Sequence, residues 1–285
     1  MKVIDMHIHL GYSVPTADII ERMEKAGVWG GCVFSSPPKE MRETHTKNIY
    51  ERTDEVLDFT SSRRDRLFPV LWIHPDEENL IDGIEKAVEK GIDGFKIICN
   101  NFYVYEEKCL SILQKIADLG KPVFFHSGIL WDGNVSSAYN RPLNWEALLR
   151  IKGLRFSMGH CSWPWYDECI ALYGKFLNAL TTGETAEMFL DLTPGTPLIY
   201  REDLLKKLFL TGYDVSGNLM YGTDCNGENY HNEWAKKWLD VDKEIMDKIG
   251  VEESVRENIY HNNIMYFLGK ENREKSYRMP TPDNM

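Results

Sequence analysis

Short apolar runs alternate with longer amphipathic stretches along almost the whole chain. Val3–Ile8 reads as a strand, and Thr16–Ala26 places Ile19, Ile20 and Met23 at helical spacing before Gly27. The same pairing recurs as Gly31–Phe34 with Thr46–Ser61, Leu67–Ile73 with Glu77–Lys90, and Asp93–Ile98 with Glu106–Leu119. It continues as Pro122–Phe125 with Leu143–Arg150, Leu154–Gly159 with Trp165–Leu180, and Glu187–Leu192 with Arg201–Leu210. Asn218–Gly222 is the last strand, followed by helices over His231–Ile249 and Glu252–Leu268. Glycines 91 and 120 stop two of the helices.

Eight strand–helix units in series predict a parallel sheet with crossover helices. That number within one domain favours an α/β fold of the closed (β/α)8 TIM-barrel type over an open doubly wound sheet. No glycine-rich phosphate loop follows the first strand, where an open dinucleotide-binding sheet would carry one. The pattern assigns residues 1–269 to the barrel, with one extra C-terminal helix covering its floor or wall. Residues 270–285 are a charged, proline-containing tail, expected to run along the surface.

Composition narrows the function classes. The chain has 285 residues, 43% of them hydrophobic, enough for a large single core. Mean hydropathy is -0.40, and no apolar run approaches the roughly 20 residues that span a bilayer. The chain starts directly in strand-like sequence with no leader pattern, so the expected location is cytoplasmic. A net charge of -11 argues against nucleic acid or an anionic membrane as partner and leaves a small molecule. The six cysteines form no C-x-x-C pair and read as reduced packing residues.

The informative polar residues sit where the apolar runs end. His7 and His9 share one face of the first strand, roughly 6–7 Å apart along the chain. Alone, the pair reads more readily as surface or core histidines of a terminal strand than as a metal site. Lys96, His126, His160 and Asp224 then fall at the ends of strands four, five, six and eight. All barrel strands end at one mouth, where active sites lie, so four of the chain's eight histidines, a lysine and a carboxylate converge there. Further mouth candidates are Trp72, His74, Asn100, Asn101, Phe102, Tyr103, Trp131, Trp163, Trp165, Tyr230 and Trp234. Of these, Trp163, Trp131, Trp72 and Asn100 are the expected substrate contacts. Arg42 and Arg141 are loop arginines within reach of the mouth, and His45, His231 and His261 read as surface or packing residues.

Asp5-Met6-His7-Ile8-His9, Gly94-Phe95-Lys96, Phe125-His126-Ser127-Gly128, Gly159-His160 and Tyr221-Gly222-Thr223-Asp224 occur in the order of the amidohydrolase superfamily. With the closing stretch Glu257–Gly269, the chain resembles the amidohydrolase-related branch, which contains lactonases, other hydrolases and non-oxidative decarboxylases. The resemblance spans residues 3 to 269 and implies a metal-dependent barrel. It implies His7, His9, His126 and Asp224 as metal ligands, a set that suits zinc with one position left for water, while manganese or iron fits the same atoms. Asp224 would also move the water proton, and His160 would polarise the scissile carbonyl or protonate carbon. Lys96 resembles the lysine that, when carboxylated, bridges two metals in binuclear members; one ion is the favoured reading, with Lys96 then a plain ammonium that binds a substrate carboxylate or an acidic neighbour. The implied reaction is hydrolysis of a C–O or C–N bond in a lactone, ester or amide, with decarboxylation of an aromatic or enoic acid as the alternative. A non-catalytic small-molecule-binding barrel is the reading from another class. Barrels of this kind often pair through helices, so a homodimer is possible on this view.

Overall fold

The structure is a computed structural model describing residues 1–10, 15–41, 44, 46–183, 185–195, 197–227 and 230–273. Arg42, His45 and residues 274–285 of the expected tail lie outside the described residues. The strands are β1 (Ile4–His9), β2 (Gly30–Phe34), β3 (Leu67–Trp72), β4 (Gly94–Ile97), β5 (Val123–Phe125), β6 (Arg155–Met158), β7 (Glu187–Asp191), β8 (Leu219–Met220) and β9 (Cys225–Asn226). Every pairing is parallel, in the order β8-β7-β6-β5-β4-β3-β2-β1-β9. β8 and β9 are two ends of one extended run: β8 pairs with β7 and β9 with β1. Between them the Met6 amide donates to the Tyr221 carbonyl (3.0 Å) and the Asp224 amide to the His7 carbonyl (3.0 Å). Residues 219–226 therefore act as the eighth strand and close the TIM barrel.

The crossover helices are α1 (Thr16–Ala26), α2 (Ile49–Thr60), α3 (Leu80–Lys90), α4 (Glu107–Asp118), α5 (Tyr166–Thr182) and α6 (Arg201–Leu210), with α7 (Asn232–Ile249) after the last strand. α2 begins three residues later than its pattern suggests because Asn48 caps it, accepting from the amides of Tyr50 and Glu51 while the Glu51 carboxylate accepts from the Asn48 amide. The expected helix over Leu143–Arg150 is a correction: Pro142–Arg150 forms 3₁₀ turns. Its buried residues are Pro142, Trp145 and Leu148, a spacing of three that matches the 3.0-residue 3₁₀ turn rather than the 3.6-residue α turn.

The interior divides into two apolar layers. The larger lies between strands and helices and includes Ile19, Ile84, Leu113, Phe156 and Leu205. The smaller fills the barrel itself, with Ile4, Met6, Phe34, Phe68, Phe124, Phe189 and Met220 packed against Ile264 and Phe267. Those last two belong to the extra C-terminal helical segment, α8 (Glu253–Glu257), a π turn (Asn258–Asn262) and α9 (Asn263–Phe267), which plugs the barrel floor. At the same floor Arg273 donates to Glu187 (3.0 Å) and to the Asn263 side chain (3.1 Å). No helix among the described residues is long and apolar enough to cross a membrane.

Strict alternation along β1 would put Ile4, Met6 and Ile8 on one face and the histidines on the other. The register instead shifts by one residue between Asp5 and Ile8, a bulge on β1 opposite β2. Below it, Ile4 and Met6 fill the barrel; above it, Ile8 packs outward and the two histidines turn to the mouth.

Candidate functional site

A cavity of about 550 Å³ opens at the C-terminal ends of the strands, and His7, His9, Lys96, His126, His160 and Asp224 all line it. The six residues that the sequence puts at strand ends are thus brought together around one cavity. Two of them depend on backbone that L residues seldom adopt. His160, Cys161 and Ser162 have φ of 56°, 44° and 60°, and Asp224 has 62°. Left-handed conformations cost roughly 1–2 kcal/mol per residue, so neighbouring contacts must hold them. The Asp224 turn is held by its amide bond to the His7 carbonyl. Gly195 lies so close to His160 that a Cβ there would stand 2.8 Å from the imidazole Cγ and Nδ1.

The centre of the site is three residues. His7, His9 and Asp224 each offer one ligand atom, and these atoms lie within 4.8 Å of one another. His9 Nε2 is 3.1 Å from Asp224 Oδ1. His7 Nδ1 lies 3.1 Å from Asp191 Oδ2, and a carboxylate only accepts, so Nδ1 carries the proton. Burial, then the nearby Lys96 charge, lowers the His7 pKa to about 3 against the pull of Asp191, so the ring is neutral and Nε2 is a bare lone pair. That lone pair stands 3.5 Å from Asp224 Oδ1. Asp224 is ionised: burial acts to raise its pKa, but His7, His9 and His160 together hold it well below the usual carboxylate range. Two acceptors thus face each other across a gap that a cation would fill. An imidazole whose far nitrogen is fixed by a carboxylate is also the arrangement that orients metal-binding histidines. The donor set fits a divalent ion.

Lys96 Nζ completes this group, 3.5 Å from His7 Nε2 and 4.9 Å from the Phe34 ring centroid. Burial brings its pKa down to about 8, partly offset by Asp191 and Asp224. His126 is held below the usual imidazole range first by burial and then by His160 and Lys96. Its Nε2 lies 3.2 Å from the Ile129 carbonyl, so that nitrogen donates and Nδ1 is the lone pair. His160 Nδ1 lies 3.2 Å from the Thr193 carbonyl and donates in the same way. The His126 and His160 ring centroids are 5.1 Å apart.

Two carboxylates missed by sequence reasoning organise the histidines. Asp191 ends β7 and is buried; beyond His7 it accepts from the Thr193 amide (2.6 Å) and the Thr193 hydroxyl. Burial acts to raise its pKa, but the His7 hydrogen bond and the surrounding imidazoles bring it below the usual value. The signal was the one that exposed Asp224, a carboxylate closing an apolar strand, but the apolar run continued through Leu192 and hid it. Asp5 sits under the β1 bulge and accepts from the His7 amide (3.0 Å), the Thr223 amide (2.9 Å), the Thr223 hydroxyl (2.5 Å) and the Tyr230 hydroxyl (3.0 Å). Burial raises its pKa to about 7 against those four donors.

The expected substrate contacts divide. Trp72, Trp131 and Trp163 line the cavity, and the exposed Trp131 ring lies parallel to Trp163 at 6.2 Å. Asn100 is not among the lining residues: its Nδ2 donates to the Glu40 carbonyl and its Oδ1 accepts from His74 Nε2 (3.0 Å). His74 also bonds Asn101, and its Nδ1 accepts from the Asp76 amide, which makes it a fastener between two loops. Arg141 faces outward, bonded to Glu168 (2.9 Å) and stacked over Trp165. Tyr230 is buried on Asp5 rather than facing the mouth, and Trp234 donates to the Thr223 carbonyl. His231 caps α7. All six cysteines are free and buried.

Several solved structures share this fold. An uncharacterized TIM-barrel protein from Bordetella bronchiseptica matches with a TM-score of 0.70 and 15% identity over 95% of this chain and 99% of its own. A probable 2-pyrone-4,6-dicarboxylic acid hydrolase from Acinetobacter baumannii, with citric acid bound, matches with a TM-score of 0.60 and 12% identity over 94% of this chain and 100% of its own. A 5-carboxyvanillate decarboxylase from Novosphingobium aromaticivorans, a mutant holding manganese and a nitrobenzoic acid ligand, matches with a TM-score of 0.61 and 11% identity over 94% and 97%. Among curated proteins, none matches the chain. The family model described as Amidohydrolase matches residues 4–270, and the chain belongs to that family of TIM-barrel enzymes.

Proposed function

We propose that the protein is a mononuclear metal-dependent hydrolase that cleaves a C–O or C–N bond, as in a lactone, ester or amide, of a small organic molecule. The observation that carries this reading is the His7 lone pair facing the ionised Asp224 at 3.5 Å, with His9 beside them. His7, His9 and Asp224 would hold the ion, and His126 would add Nδ1 as the fourth ligand. Zinc suits this set, and manganese or iron would use the same atoms. One ion is favoured over two because His7, His9 and Asp224 form the one compact group of ligands among the described residues. A carboxylated Lys96 bridging two ions is the competing arrangement. Once bound, the metal supplies Lewis acidity and lowers the pKa of water toward 7. Asp224 accepts the proton of the attacking water and delivers it to the leaving group. His160 keeps Nδ1–H on Thr193, so it donates to the substrate only as imidazolium, through Nε2. Trp72, Trp131 and Trp163 wall the substrate.

Decarboxylation by the same residues is the second reading, favoured by the aromatic walls and by a structural neighbour with that activity. Against it, no arginine lines the cavity among the described residues. A panel of lactones, esters and amides, followed by acid release and by CO₂ release, separates the two. Acid release that chelation abolishes and zinc restores is the expected result, and His9→Ala should lose metal and turnover together. CO₂ release alone would make the protein a carboxy-lyase. Zinc-loaded protein inert in both assays would support the binding-barrel reading. The protein is expected to work on small molecules without nucleic acid or membrane, in the cytoplasm, as a monomer or homodimer.

A further inference from the structure

The floor of the barrel, at the end away from the mouth, gathers cations. Arg64 precedes β3, Lys121 precedes β5, Arg155 opens β6, and Lys270 follows the α9 plug. The buried Asp93, just before β4, is their shared acid: Lys270 Nζ lies 2.5 Å from its Oδ1 and Arg64 Nη2 3.3 Å from its Oδ2. Arg155 Nη2 donates to the Gly120 carbonyl (2.7 Å), beside Lys121, and a Cβ on Gly269, beside Lys270, would stand 3.2 Å from the same Nη2. The Phe95 amide donates to the Pro122 carbonyl (3.0 Å), which sets Asp93 and Lys121 at adjoining strand starts. Four cations thus share one carboxylate. The half-buried Lys121 ammonium has no hydrogen-bond or ion-pair partner among the described residues. Burial pushes it below the usual lysine value and, against the pull of Asp93, so do Lys270, Arg155 and Arg64. Arg64 Nη1 and Arg155 Nε are buried donors without a partner. Other acids of the floor bring no relief: Glu187 is held by Arg273 (3.0 Å), Glu24 by Arg66 (2.6 Å), and Glu271 is exposed.

We infer that Arg64, Lys121, Arg155 and Lys270 form a binding site for a phosphate group on the barrel floor. The site lies outside the functional reading above and does not depend on it. A chain of net charge -11 repels an extended polyanion, whereas a compact oxyanion meets only the local field. Asp93 balances one of the four cations, and a phosphate dianion would offset two of the remaining three. Its terminal oxygens accept from ammonium and guanidinium alike in charge-assisted bonds, while a carboxylate brings two oxygens and a single charge. Arg155 and Lys270 touch the C-terminal plug, and Arg64 and Lys121 lead into the sheet. A bound phosphate therefore ties plug to sheet and favours the folded form. Free inorganic phosphate and the phosphate of a small phosphomonoester share this chemistry.

The test titrates the full chain calorimetrically with inorganic phosphate, glycerol phosphate and acetate, with and without zinc, in about 0.15 M salt to screen non-specific attraction. The expected result is phosphate bound with a Kd of roughly 0.1–1 mM, the same with and without zinc, and about tenfold or more tighter than acetate. Lys121→Met should weaken phosphate about tenfold and Lys121→Glu should abolish it, while Lys237→Met, on the exposed face of α7, changes nothing. Phosphate should raise the melting temperature of the unmodified chain and of Lys237→Met but less that of Lys121→Glu, which separates site binding from the general stabilising effect of phosphate salts. On the unmodified chain, phosphate should slow acetylation of Lys121 severalfold and leave Lys237 unprotected, a readout that needs no variant to fold. Tighter glycerol phosphate would assign the site to an organic phosphate, and tighter inorganic phosphate to the free ion; both support it. Absent binding, equal affinity for acetate, unprotected Lys121, or phosphate affinity unchanged in both Lys121 variants overturns the inference. Binding that requires zinc would put the phosphate at the mouth and overturn it as well.

Discussion

Asp191→Asn isolates the orienting role of the β7 carboxylate with almost no change in shape. In the native site Oδ1 accepts from the Thr193 amide and hydroxyl, and Oδ2 from His7 Nδ1. An asparagine has one accepting oxygen. If that oxygen stays on Thr193, its NH₂ group points at His7 Nδ1–H, donor against donor. The imidazole then escapes by moving its proton to Nε2, which removes the lone pair facing Asp224. If the amide flips, Thr193 loses two bonds inside a buried pocket. Either way at least one hydrogen bond to a charged group is lost, on the order of 1.5–3 kcal/mol for one. That corresponds to a fall in metal affinity of roughly ten- to a hundredfold, in line with losses seen when the partner of a metal-binding histidine is changed. Competition against a chromogenic chelator measures it directly. Zinc affinity within twofold of the native value would refute both the tautomer assignment and the metal role of His7.

Three further outcomes follow from the same geometry. His160→Asn should retain most of the metal while turnover falls by about 10²–10⁴, the range for a lost proton donor; loss of one of two metal equivalents would indicate a binuclear site. Gly195→Ala places a methyl group 2.8 Å from the His160 ring and should lower turnover with zinc content unchanged, read by kinetics and metal analysis on the same sample. Asp242→Ala strands the fully buried Arg201, which it holds by two bonds of 2.7 Å, and should destabilise the protein by about 3–5 kcal/mol in a urea melt.

The fold was legible because each strand is an apolar run closed by punctuation, as at Leu67–Trp72 before His74-Pro75. The 3₁₀ stretch over Pro142–Arg150 escaped because three buried residues fit either helix until the spacing is counted. The mouth histidines were legible because polar residues interrupt otherwise apolar strands. Asp191 and Asp5 were not, because their significance lies in partners 184 and 218 residues away, His7 and Thr223. Asn100 was misplaced for a related reason. Position after a strand fixes which end of the barrel a residue occupies, but its neighbour His74 decides which way it turns.

The plug at the barrel floor bears on the order in which the protein can be made. Ile4, Met6, Phe124, Phe189 and Met220 find their final partners in Ile264 and Phe267, and β1 finds its second neighbour in residues 219–226. During synthesis the first strand emerges long before either arrives, with an open edge and an unfilled interior. The lumen can therefore close only once the chain through Phe267 has left the ribosome. A transcript truncated before Ile264 yields eight strands without the side chains that fill them, a species prone to aggregate rather than a smaller working enzyme.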